Sequence, residues 1–286
     1  MNTPSHSTDQ ARLALPKLSK LAFIGGGNMA SAIMGGLLGQ GMRADQLVVI
    51  EPYEAQRAQL LAQFGVKAHE KANAALQDCP VVVWAVKPQV FKEAAALVRP
   101  HVGAALHLSV AAGLRTDSLV QWLGTERWVR AMPNTPALVG KGMTGLFARD
   151  AVTTAERQTI EQLLSSTGQC LWVPRESDLD AVTALSGSGP AYVFYFLEAM
   201  RQAGTDMGLD ADTATRLAIG TFVGASHLAQ EATDPPEVLR ERVTSKGGTT
   251  YAALTHMATH GVGPAFIEAM RAAQHRAQTL GDEFGR

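Results

Sequence analysis

The stretch FIGGGNMASAI, residues 23–33, constrains the fold of this chain more than any other. A short apolar run ends at Ile24, a glycine-rich turn follows, and an apolar helical pattern comes next. The turn fits G-x-G-x-x-A and consists of Gly25, Gly26, Gly27, Asn28, Met29 and Ala30. In that pattern the first glycine makes a tight turn, the second admits a pyrophosphate to the backbone, and the small third residue lets helix and strand pack closely. The stretch therefore predicts a dinucleotide site, with a plain tight turn as the alternative.

Strands and helices alternate through the first half of the chain. After the strand at 21–24, further apolar runs of strand character occur at residues 47–53, 81–89, 105–110 and 128–132. Helical patterns lie between them at residues 53–63, 90–98 and 116–122. Short apolar strands separated by helices are typical of a parallel sheet covered on both faces. We therefore expect an α/β fold with an N-terminal Rossmann-type doubly wound sheet.

The second half is predicted to be all-α. A last strand is expected within residues 167–178, and helical patterns then occupy most of the chain. The first of these helices has Pro190 at its first position and is apolar nearly all round, so we expect it to be buried on every side. A domain this small could not enclose such a helix alone, which predicts a subunit interface. The expected parts are a flexible leader (1–19), a dinucleotide-binding Rossmann domain (20–175) and a helical dimerisation and substrate domain (176–286).

Charge and composition exclude several classes of partner. The formal net charge is −1, so the chain has no overall basic field for a nucleic acid backbone. No window has the length and apolarity of a membrane span, and the N-terminus lacks the apolar core of a signal peptide. We expect a cytoplasmic protein without nucleic acid or membrane partners. Cys79 and Cys170 are too few for a disulfide scaffold and lack a histidine nearby, so we expect buried, reduced thiols and no metal.

An acidic residue, Glu51, stands at the end of the second predicted strand. A carboxylate there would accept hydrogen bonds from the ribose hydroxyls of NAD and would repel the 2′-phosphate of NADP. The alternative is an exposed acid before a proline. Arg57 lies in the following helix and could offset the repulsion. The residues therefore leave the choice between NAD and NADP open.

Other predicted strands end in small residues, prolines or an amide. Lys87 and Pro88 follow the third strand, Ala112 and Gly113 the fourth, and Asn134 the fifth. The carboxyl ends of parallel strands form the ligand crevice, and close backbone contact with a cofactor needs small residues there. An equally good interpretation is that these residues serve only to terminate the strands.

The stretch SKGGTT, residues 245–250, leads into a helix that we expect to begin at Tyr251, with Thr249 or Thr250 as its N-cap. The alternative is an anion site formed by the bare Gly-Gly-Thr amides at the helix N-terminus. Its ligand would be a carboxylate more readily than a nucleotide phosphate, since the first glycine turn already serves phosphate. The stretch is not a P-loop, because no glycine stands at the required distance before Lys246.

Five motifs, in this order, resemble those of the pyrroline-5-carboxylate reductases: FIGGGNMASAI, AVKPQ, MPNTP, SGSGPAY and VTSKGGTT. The resemblance runs over nearly the whole chain, and the last two motifs are specific. It implies reduction of 1-pyrroline-5-carboxylate to L-proline, the last step of proline biosynthesis, with NADPH or NADH. It also implies a Rossmann domain, a helical dimerisation domain and a homodimer, which some members assemble into a decamer.

The resemblance also implies roles for individual residues. The G-G-T-T turn would hold the substrate carboxylate, and the Thr250 hydroxyl would hydrogen-bond the ring nitrogen, which makes Thr250 the expected catalytic residue. The expected substrate-binding residues are Ser245, Gly247, Gly248 and Thr249. The expected cofactor-binding residues are Gly25, Gly26, Gly27, Asn28, Met29, Ala30, Glu51, Val86, Lys87, Pro88, Ala112, Gly113 and Asn134.

Lys246 and Glu51 are among the positions that depart from the family pattern. Lys246 stands where the family usually has proline, and Glu51 stands where an NADPH-preferring member would have a small or hydroxyl-bearing residue. Two rival functions remain. A β-hydroxyacid-type dehydrogenase would need a lysine on the helix after Pro190, which has none. A non-catalytic dinucleotide-binding regulator is opposed by the intact G-G-T-T turn.

Overall fold

The computed structural model describes residues 18–284, which form two compact units. The first unit takes in the chain as far as Gly187 and the stretch from Gln274 onward, and the second is Ser188–Ala273. Of the predicted leader, residues 1–17 lie outside the described residues. The first unit contains a sheet flanked by helices, and the second contains only helices. The predicted order, a Rossmann-type α/β part followed by an all-α part, is confirmed.

One sheet of seven strands runs through the described part of the first unit, in the order β2-β1-β3-β4-β5-β6-β7. The strands are β1 (Leu21–Ile24), β2 (Leu47–Ile50), β3 (Val81–Trp84), β4 (Leu106–Ser109), β5 (Trp128–Met132), β6 (Gly142–Ala148) and β7 (Gly168–Trp172). The first five pair in parallel, as predicted. Strands β2 and β3 end sooner than the runs that predict them. Pro52 lacks the N–H that a continuing strand would need, and Pro88 begins a helix.

The sheet is mostly parallel, and its one antiparallel pair involves a strand that the sequence does not predict. Strands β5 and β6 are antiparallel, with Met132 opposite Gly145. The segment GMTGLFA carries two glycines, and no strand was predicted there. Antiparallel neighbours need only a short connection, here a loop with a 3-10 helix at Thr135–Val139, whereas parallel neighbours need a crossover. Helix α5, also missing from the prediction, provides such a crossover to β7, which pairs with β6 in parallel.

Helices cover both faces of the sheet. They are α1 (Asn28–Gly39), α2 (Glu54–Phe64), α3 (Pro88–Val98), α4 (Thr116–Leu123), α5 (Thr154–Leu164) and α6 (Asp178–Val182), which continues in a π-helical turn at Thr183–Gly187. Along β1, Leu21 and Phe23 join one apolar layer while Ala22 and Ile24 join the other. Successive strand residues face opposite sides, so a strand buried on both faces reads as an uninterrupted apolar run.

The second unit is built from α7 (Gly189–Asp206), α8 (Ala211–Glu231), α9 (Pro236–Arg242), α10 (Thr249–Thr259) and the first half of α11 (Val262–Phe284). Helices α7 and α8 approach closely at Gly204, where an added Cβ would lie 2.8 Å from the Cβ of Ala214. Phe266 of α11 makes edge-on ring contacts with Tyr192 and Phe196 of α7. These contacts tie α7, α8 and α11 into one unit.

The chain by itself does not bury α7 on every side, which agrees with the expectation that a domain this small could not enclose this helix alone. Within this helix only Gly204 is buried, and Phe194 and Tyr195 are 58% and 69% exposed. Large apolar side chains are also exposed on α8, among them Leu217 and Leu228. A few helices cannot surround one of their number completely. Exposed apolar surface of this extent marks an interaction face.

Candidate functional site

The sheet order creates a crevice between β1 and β3. The chain leaves β1 towards β2 on one side and returns to β3 on the other, and ligands of open α/β sheets bind at such a switch point. Gly25 directly follows β1, and Val86 lies just beyond β3. A Cβ added to Gly25 would lie 2.7 Å from the carbonyl oxygen of Ala85 and 3.1 Å from Cγ1 of Val86. The glycine turn and the segment after β3 therefore meet at this edge.

The glycine turn leaves the N-terminus of α1 bare. Gly25 has a φ of +92°, a conformation that glycine adopts without strain. Gly27 is the N-cap of α1, no side chain caps the helix, and its first turn holds no acid. A Cβ added to Gly27 would meet nothing within 4 Å. The unsatisfied first-turn N–H groups thus face open space, and the helix dipole favours an anion there.

Glu51 is buried, with 5% of its surface exposed, and its carboxylate faces the glycine turn. Oε2 accepts a hydrogen bond from the Gly26 amide at 2.8 Å, and Oε1 accepts one from the Tyr53 amide at 3.0 Å. The carbonyl of Gly26 is held in turn by Nε2 of Gln56 at 2.6 Å. Gln56 is not among the residues that the sequence motifs indicate. Its only sequence signal is a polar side chain in the first turn of α2.

Arg57 sits beside Glu51 without pairing with its carboxylate. Its Nη1 donates to two backbone carbonyls, that of Glu51 at 3.0 Å and that of Pro52 at 2.7 Å. The side chain is half-buried. The carbonyls at the end of β2 therefore anchor a cation at the carboxyl edge of the sheet.

Two further strand ends reach the same edge. Lys87 is exposed and is the N-cap of α3, and Pro88 occupies the first helical position, where its missing N–H costs nothing. Ala112 is half-buried after β4. Gly113 has a φ of +75°, and a Cβ there would lie 3.0 Å from the Cβ of Leu280. The structure brings Lys87, Pro88 and Ala112 to the crevice edge and packs Gly113 against the end of α11.

Asn134 braces the turn after β5. Its Oδ1 accepts the Met143 amide at 2.9 Å, and its Nδ2 donates to the Ser186 carbonyl at 3.0 Å. The motif that contains Asn134 is thereby tied to β6 and to the π-helical turn. The side-chain amide of Asn134 therefore stabilises this turn, whether or not it also contacts a ligand.

A buried ion pair joins β5 to the segment that follows β7. Nη1 of Arg130 lies 2.6 Å from Oε1 of Glu176. The same carboxylate accepts the amide and the hydroxyl of Thr116 at 2.6 and 2.7 Å. Burial lowers the pKa of Arg130, and the charge of Glu176 offsets part of that effect. No sequence motif indicates this network. Its one sequence signal is the arginine within the apolar run WVRAM, because a buried charge needs a partner.

The SKGGTT stretch forms a tight turn that opens α10. The Gly248 amide donates to the Ser245 carbonyl at 3.0 Å, and Gly247 has a φ of +75°. Lys246 has a negative φ, as do all described non-glycine residues, so the turn is of type II with Lys246 at its second position. Proline is common at that position, where no amide hydrogen bond is needed. Lys246 is exposed.

The predicted N-cap of this helix is wrong. Helix α10 begins at Thr249, and its N-cap is Gly248 in an extended conformation (φ −82°, ψ 178°), without a capping side chain or an acid in the first turn. Thr249 and Thr250 are the first two helical residues, and their amides point out of the helix start. The two glycines bring the chain into the helix one residue earlier than a threonine cap would. The hydroxyl of Thr250 is therefore not used as the N-cap.

Metal sites, membrane spans and thiols can be checked over the described residues. Within residues 18–284, no three His, Cys, Asp or Glu side chains form a group that could hold a metal ion. No helix in residues 18–284 is both long and apolar enough to cross a bilayer. Cys79 and Cys170 are free, as predicted, but only Cys79 is fully buried, because Cys170 lies on the edge strand β7. Burial raises the pKa of these thiols to about 11 and about 12.

The sheet and its glycine turn define a Rossmann-type dinucleotide-binding protein. Residues 20–113 match the family described as NADP oxidoreductase, coenzyme F420-dependent. Residues 176–280 match the family described as pyrroline-5-carboxylate reductase dimerisation. The first match lies on the glycine turn and the first four strands, and the second begins at Glu176.

Known proteins identify the family more closely. The chain is 42% identical over 268 residues to the pyrroline-5-carboxylate reductase of Pseudomonas aeruginosa, covering 93% of this chain and 98% of that protein. A solved pyrroline-5-carboxylate reductase of Coxiella burnetii is similar with a TM-score of 0.85 and 35% identity, covering 92% and 98%. The pyrroline carboxylate reductase of Plasmodium falciparum, solved with NADP bound, has a TM-score of 0.83 and 26% identity, covering 93% and 99%. The chain belongs to the pyrroline-5-carboxylate reductase family.

Proposed function

We propose that this protein reduces 1-pyrroline-5-carboxylate to L-proline with NADPH or NADH, the last step of proline biosynthesis. The observation that carries the proposal is the presence of two bare, glycine-entered helix N-termini, at Gly27 and at Gly248. One suits the pyrophosphate of a dinucleotide, and the other suits the carboxylate of a small substrate. Membership of the family supplies the reaction that uses both ligands.

The residues at the carboxyl edge of the sheet fit a dinucleotide. The α1 N-terminus takes the pyrophosphate, with Gly27, Asn28 and Met29 offering backbone at the open helix start. Gly25 and Ala30 are small where the chain is crowded, and the carboxylate of Glu51 holds Gly26. The remaining proposed contacts are Val86, Lys87, Pro88, Ala112, Gly113 and Asn134. Reduced nicotinamide, when bound, supplies a hydride to the carbon of the substrate C=N bond.

The substrate carboxylate is held by the SKGGTT turn in this proposal. The amides of Thr249 and Thr250 offer donors at a helix start where the dipole favours negative charge, whereas the Gly248 amide is used within the turn. Gly247 supplies the left-handed turn, and the Ser245 carbonyl fixes it through the Gly248 amide. Anchoring the carboxylate there fixes the orientation of the ring, and positioning of this kind accounts for much of the acceleration in such a reaction.

Thr250 is proposed as the catalytic residue because its hydroxyl can serve the ring nitrogen in either protonation state. A hydroxyl donates to the neutral imine and accepts from the iminium N–H. The protonated imine accepts hydride more readily than the neutral form, so a partner that holds the proton at nitrogen favours reduction. The Thr250 side chain is half-buried and is not the N-cap of α10.

One assay tests the reaction and the role of Thr250 together. Purified protein is mixed with 1-pyrroline-5-carboxylate, and the absorbance of NADPH or NADH is followed. Thr250→Ala should lower kcat by roughly ten- to a hundredfold, as expected for one orienting hydrogen bond. Thr249→Ala is the matched control, because it keeps the backbone amide and should retain most of the turnover. Oxidation of neither cofactor by the wild type would refute the proposed function.

The same proposal includes a homodimer. A second copy of the chain is the proposed occupant of the apolar face on α7 and α8, where Phe194 and Leu228 are 58% and 69% exposed. The match of residues 176–280 to a dimerisation family supports this. A decamer built from such dimers is the larger assembly to test. Sedimentation of the wild type and of Phe194→Glu distinguishes the states, and a monomeric wild type would refute the dimer.

The domain limits and the location belong to the proposal as well. We place the dinucleotide domain at 20–175 and the helical dimerisation and substrate domain at 176–286, after a leader at 1–19, since the dimerisation family match starts at residue 176. Limited proteolysis followed by mass spectrometry would locate the limits. Two free thiols and a reduced nicotinamide cofactor suit the cytoplasm. Recovery of the protein from a periplasmic or membrane fraction would contradict that location.

A further inference from the structure

Two opposite charges stand at the end of β2, where a Rossmann-bound dinucleotide has its adenosine ribose. An acid in this place binds the ribose hydroxyls of NAD, whereas an arginine nearby accommodates the 2′-phosphate of NADP. This chain has both, in Glu51 and Arg57. Composition and spacing therefore leave the cofactor undecided, and the partners of each side chain have to decide it.

The carboxylate of Glu51 is committed to the protein. Each of its oxygens accepts a backbone amide, Oε2 from Gly26 at 2.8 Å and Oε1 from Tyr53 at 3.0 Å. The residue is 5% exposed, so little of it is offered to a ligand. The bond to Gly26 spans 25 positions of sequence and joins the end of β2 to the glycine turn. Hydrogen bonds to a charged group are the stronger kind, so Glu51 fixes the shape of that turn.

Gly26 has no backbone group left for a ligand. Its amide donates to Glu51, and its carbonyl accepts from Nε2 of Gln56 at 2.6 Å. A Cβ added to Gly26 would also lie 2.6 Å from Cδ1 of Leu60, which shows how closely α2 covers the turn. The phosphate donors are therefore those of the α1 start, and Glu51 acts on them through the position of Gly26.

Arg57 has the opposite arrangement. Nη1 is anchored by the carbonyls of Glu51 and Pro52 at 3.0 and 2.7 Å, and within residues 18–284 no carboxylate lies within ion-pair distance of its guanidinium. The N–H groups on the other guanidinium nitrogens remain available as donors, and the side chain is half-exposed. A guanidinium held by neutral carbonyls retains its full charge for a phosphate, to which it can donate two parallel hydrogen bonds.

We propose that Arg57 binds the 2′-phosphate of NADPH and makes NADPH the preferred cofactor, while Glu51 is a positioning residue for the glycine turn and not a ribose ligand. The inference rests on the proposed NAD(P)H-dependent reaction and names its cofactor. The charge of Glu51 lies against two amide donors on the protein side. The charge of Arg57 has no counter-ion among the described residues and is free to attract the extra phosphate of NADPH.

Titration calorimetry of the full-length protein with NADP⁺ and with NAD⁺, in the absence of substrate, tests the role of Arg57. The wild type should bind NADP⁺ more tightly than NAD⁺. Arg57→Gln should weaken NADP⁺ by about tenfold or more, as expected for a lost charge-assisted contact, and should change NAD⁺ little. Arg57→Lys should recover part of the loss. Arg43→Gln is the matched control, because Arg43 is an exposed cation that precedes β2 and so lies at the opposite edge of the sheet.

Glu51→Gln distinguishes the two roles of the acid. If Glu51 positions the turn, Glu51→Gln should weaken the binding of both dinucleotides by similar factors. The glutamine places an NH₂ group against one of the two backbone amides that Glu51 accepts. If Glu51 instead binds the ribose, Glu51→Gln should weaken the binding of NAD⁺ and tighten that of NADP⁺. That result would overturn the proposal. Equal effects of Arg57→Gln and Arg43→Gln on NADP⁺ would overturn it too. A wild type that binds neither dinucleotide would overturn the proposed function as well, whereas binding that is indifferent to Arg57 removes this inference alone.

Discussion

His107 should make the stability of this protein fall at mildly acidic pH. The side chain lies on β4 with no exposed surface, and its Nδ1 accepts a hydrogen bond from Nε1 of Trp84 at 3.1 Å. Nε2 is also buried and has no partner among the described residues. Burial, with a smaller effect from the charge of Arg127, lowers the pKa of His107 from 6.5 to about 3. The imidazole is therefore neutral in the folded protein at every pH above about 3.

The size of the effect follows from this pKa. Between pH 6.5 and 3 the unfolded chain binds a proton at this position that the folded chain does not, so stability falls as the pH falls. From pH 7.5 to pH 5 the loss should be about 2 kcal/mol, and below both pKa values it approaches about 5 kcal/mol, at roughly 1.4 kcal/mol per pKa unit. Above about pH 7.5 the contribution changes little.

Urea unfolding followed by tryptophan fluorescence measures this loss at pH 7.5 and pH 5. The free energy of unfolding of wild type should drop by about 2 kcal/mol more than that of His107→Asn, whose Oδ1 can replace Nδ1 as the acceptor but cannot titrate. His69→Asn is the control, since His69 is exposed and the substitution should leave the wild-type pH dependence. Protein concentration is held fixed because an oligomer's stability depends on it. Equal pH dependence in wild type and His107→Asn would refute the reasoning.

Three further changes have expected outcomes. Gly25→Ala should abolish dinucleotide binding in calorimetry, because φ is +92° and the new Cβ would lie 2.7 Å from the Ala85 carbonyl, whereas Gly39→Ala, with open space at its Cβ, should bind normally. Lys246→Pro should stabilise the protein by about 0.4–1 kcal/mol in urea unfolding, because it suits the second position of a type II turn, and destabilisation would contradict that turn. Asn134→Ala should cost about 1–3 kcal/mol by leaving a β6 amide without its acceptor, and an unchanged unfolding midpoint would contradict the brace.

The sequence predicts the first five strands because each is buried on both faces and reads as an apolar run. Strand β1 was predicted with the bounds that the structure has, Leu21–Ile24, and so was β5. The glycine turn is also predictable from the sequence. Glycine tolerates the positive φ of Gly25, and its missing side chain leaves the space beside Gly27 empty. The reaction is indicated by the family motifs and not by the chemistry of single positions.

Strand β6 and the start of α10 show where local patterns fail. The two glycines of GMTGLFA weaken its strand pattern, and only pairing with β5 on one side and β7 on the other makes it a strand. At the SKGGTT turn, threonine propensity favoured a threonine cap, yet the left-handed Gly247 delivers the chain so that Gly248 takes that place. For β6 the neighbouring strands override the local preference, and for α10 the two adjacent glycines do.

The sequence by itself determined the first five strands, the glycine turns and the family, because these depend on residues close together along the chain. Tertiary structure decided what the charged side chains do. The carboxylate of Glu51 reaches an amide 25 positions away, and Arg130 pairs with Glu176 across 46 positions. A side chain's partner depends on which distant segment folds against it, and neither propensity nor spacing records that. The sequence alone leaves open whether Glu51 is a ribose ligand, and in the structure its carboxylate accepts the Gly26 amide of the glycine turn.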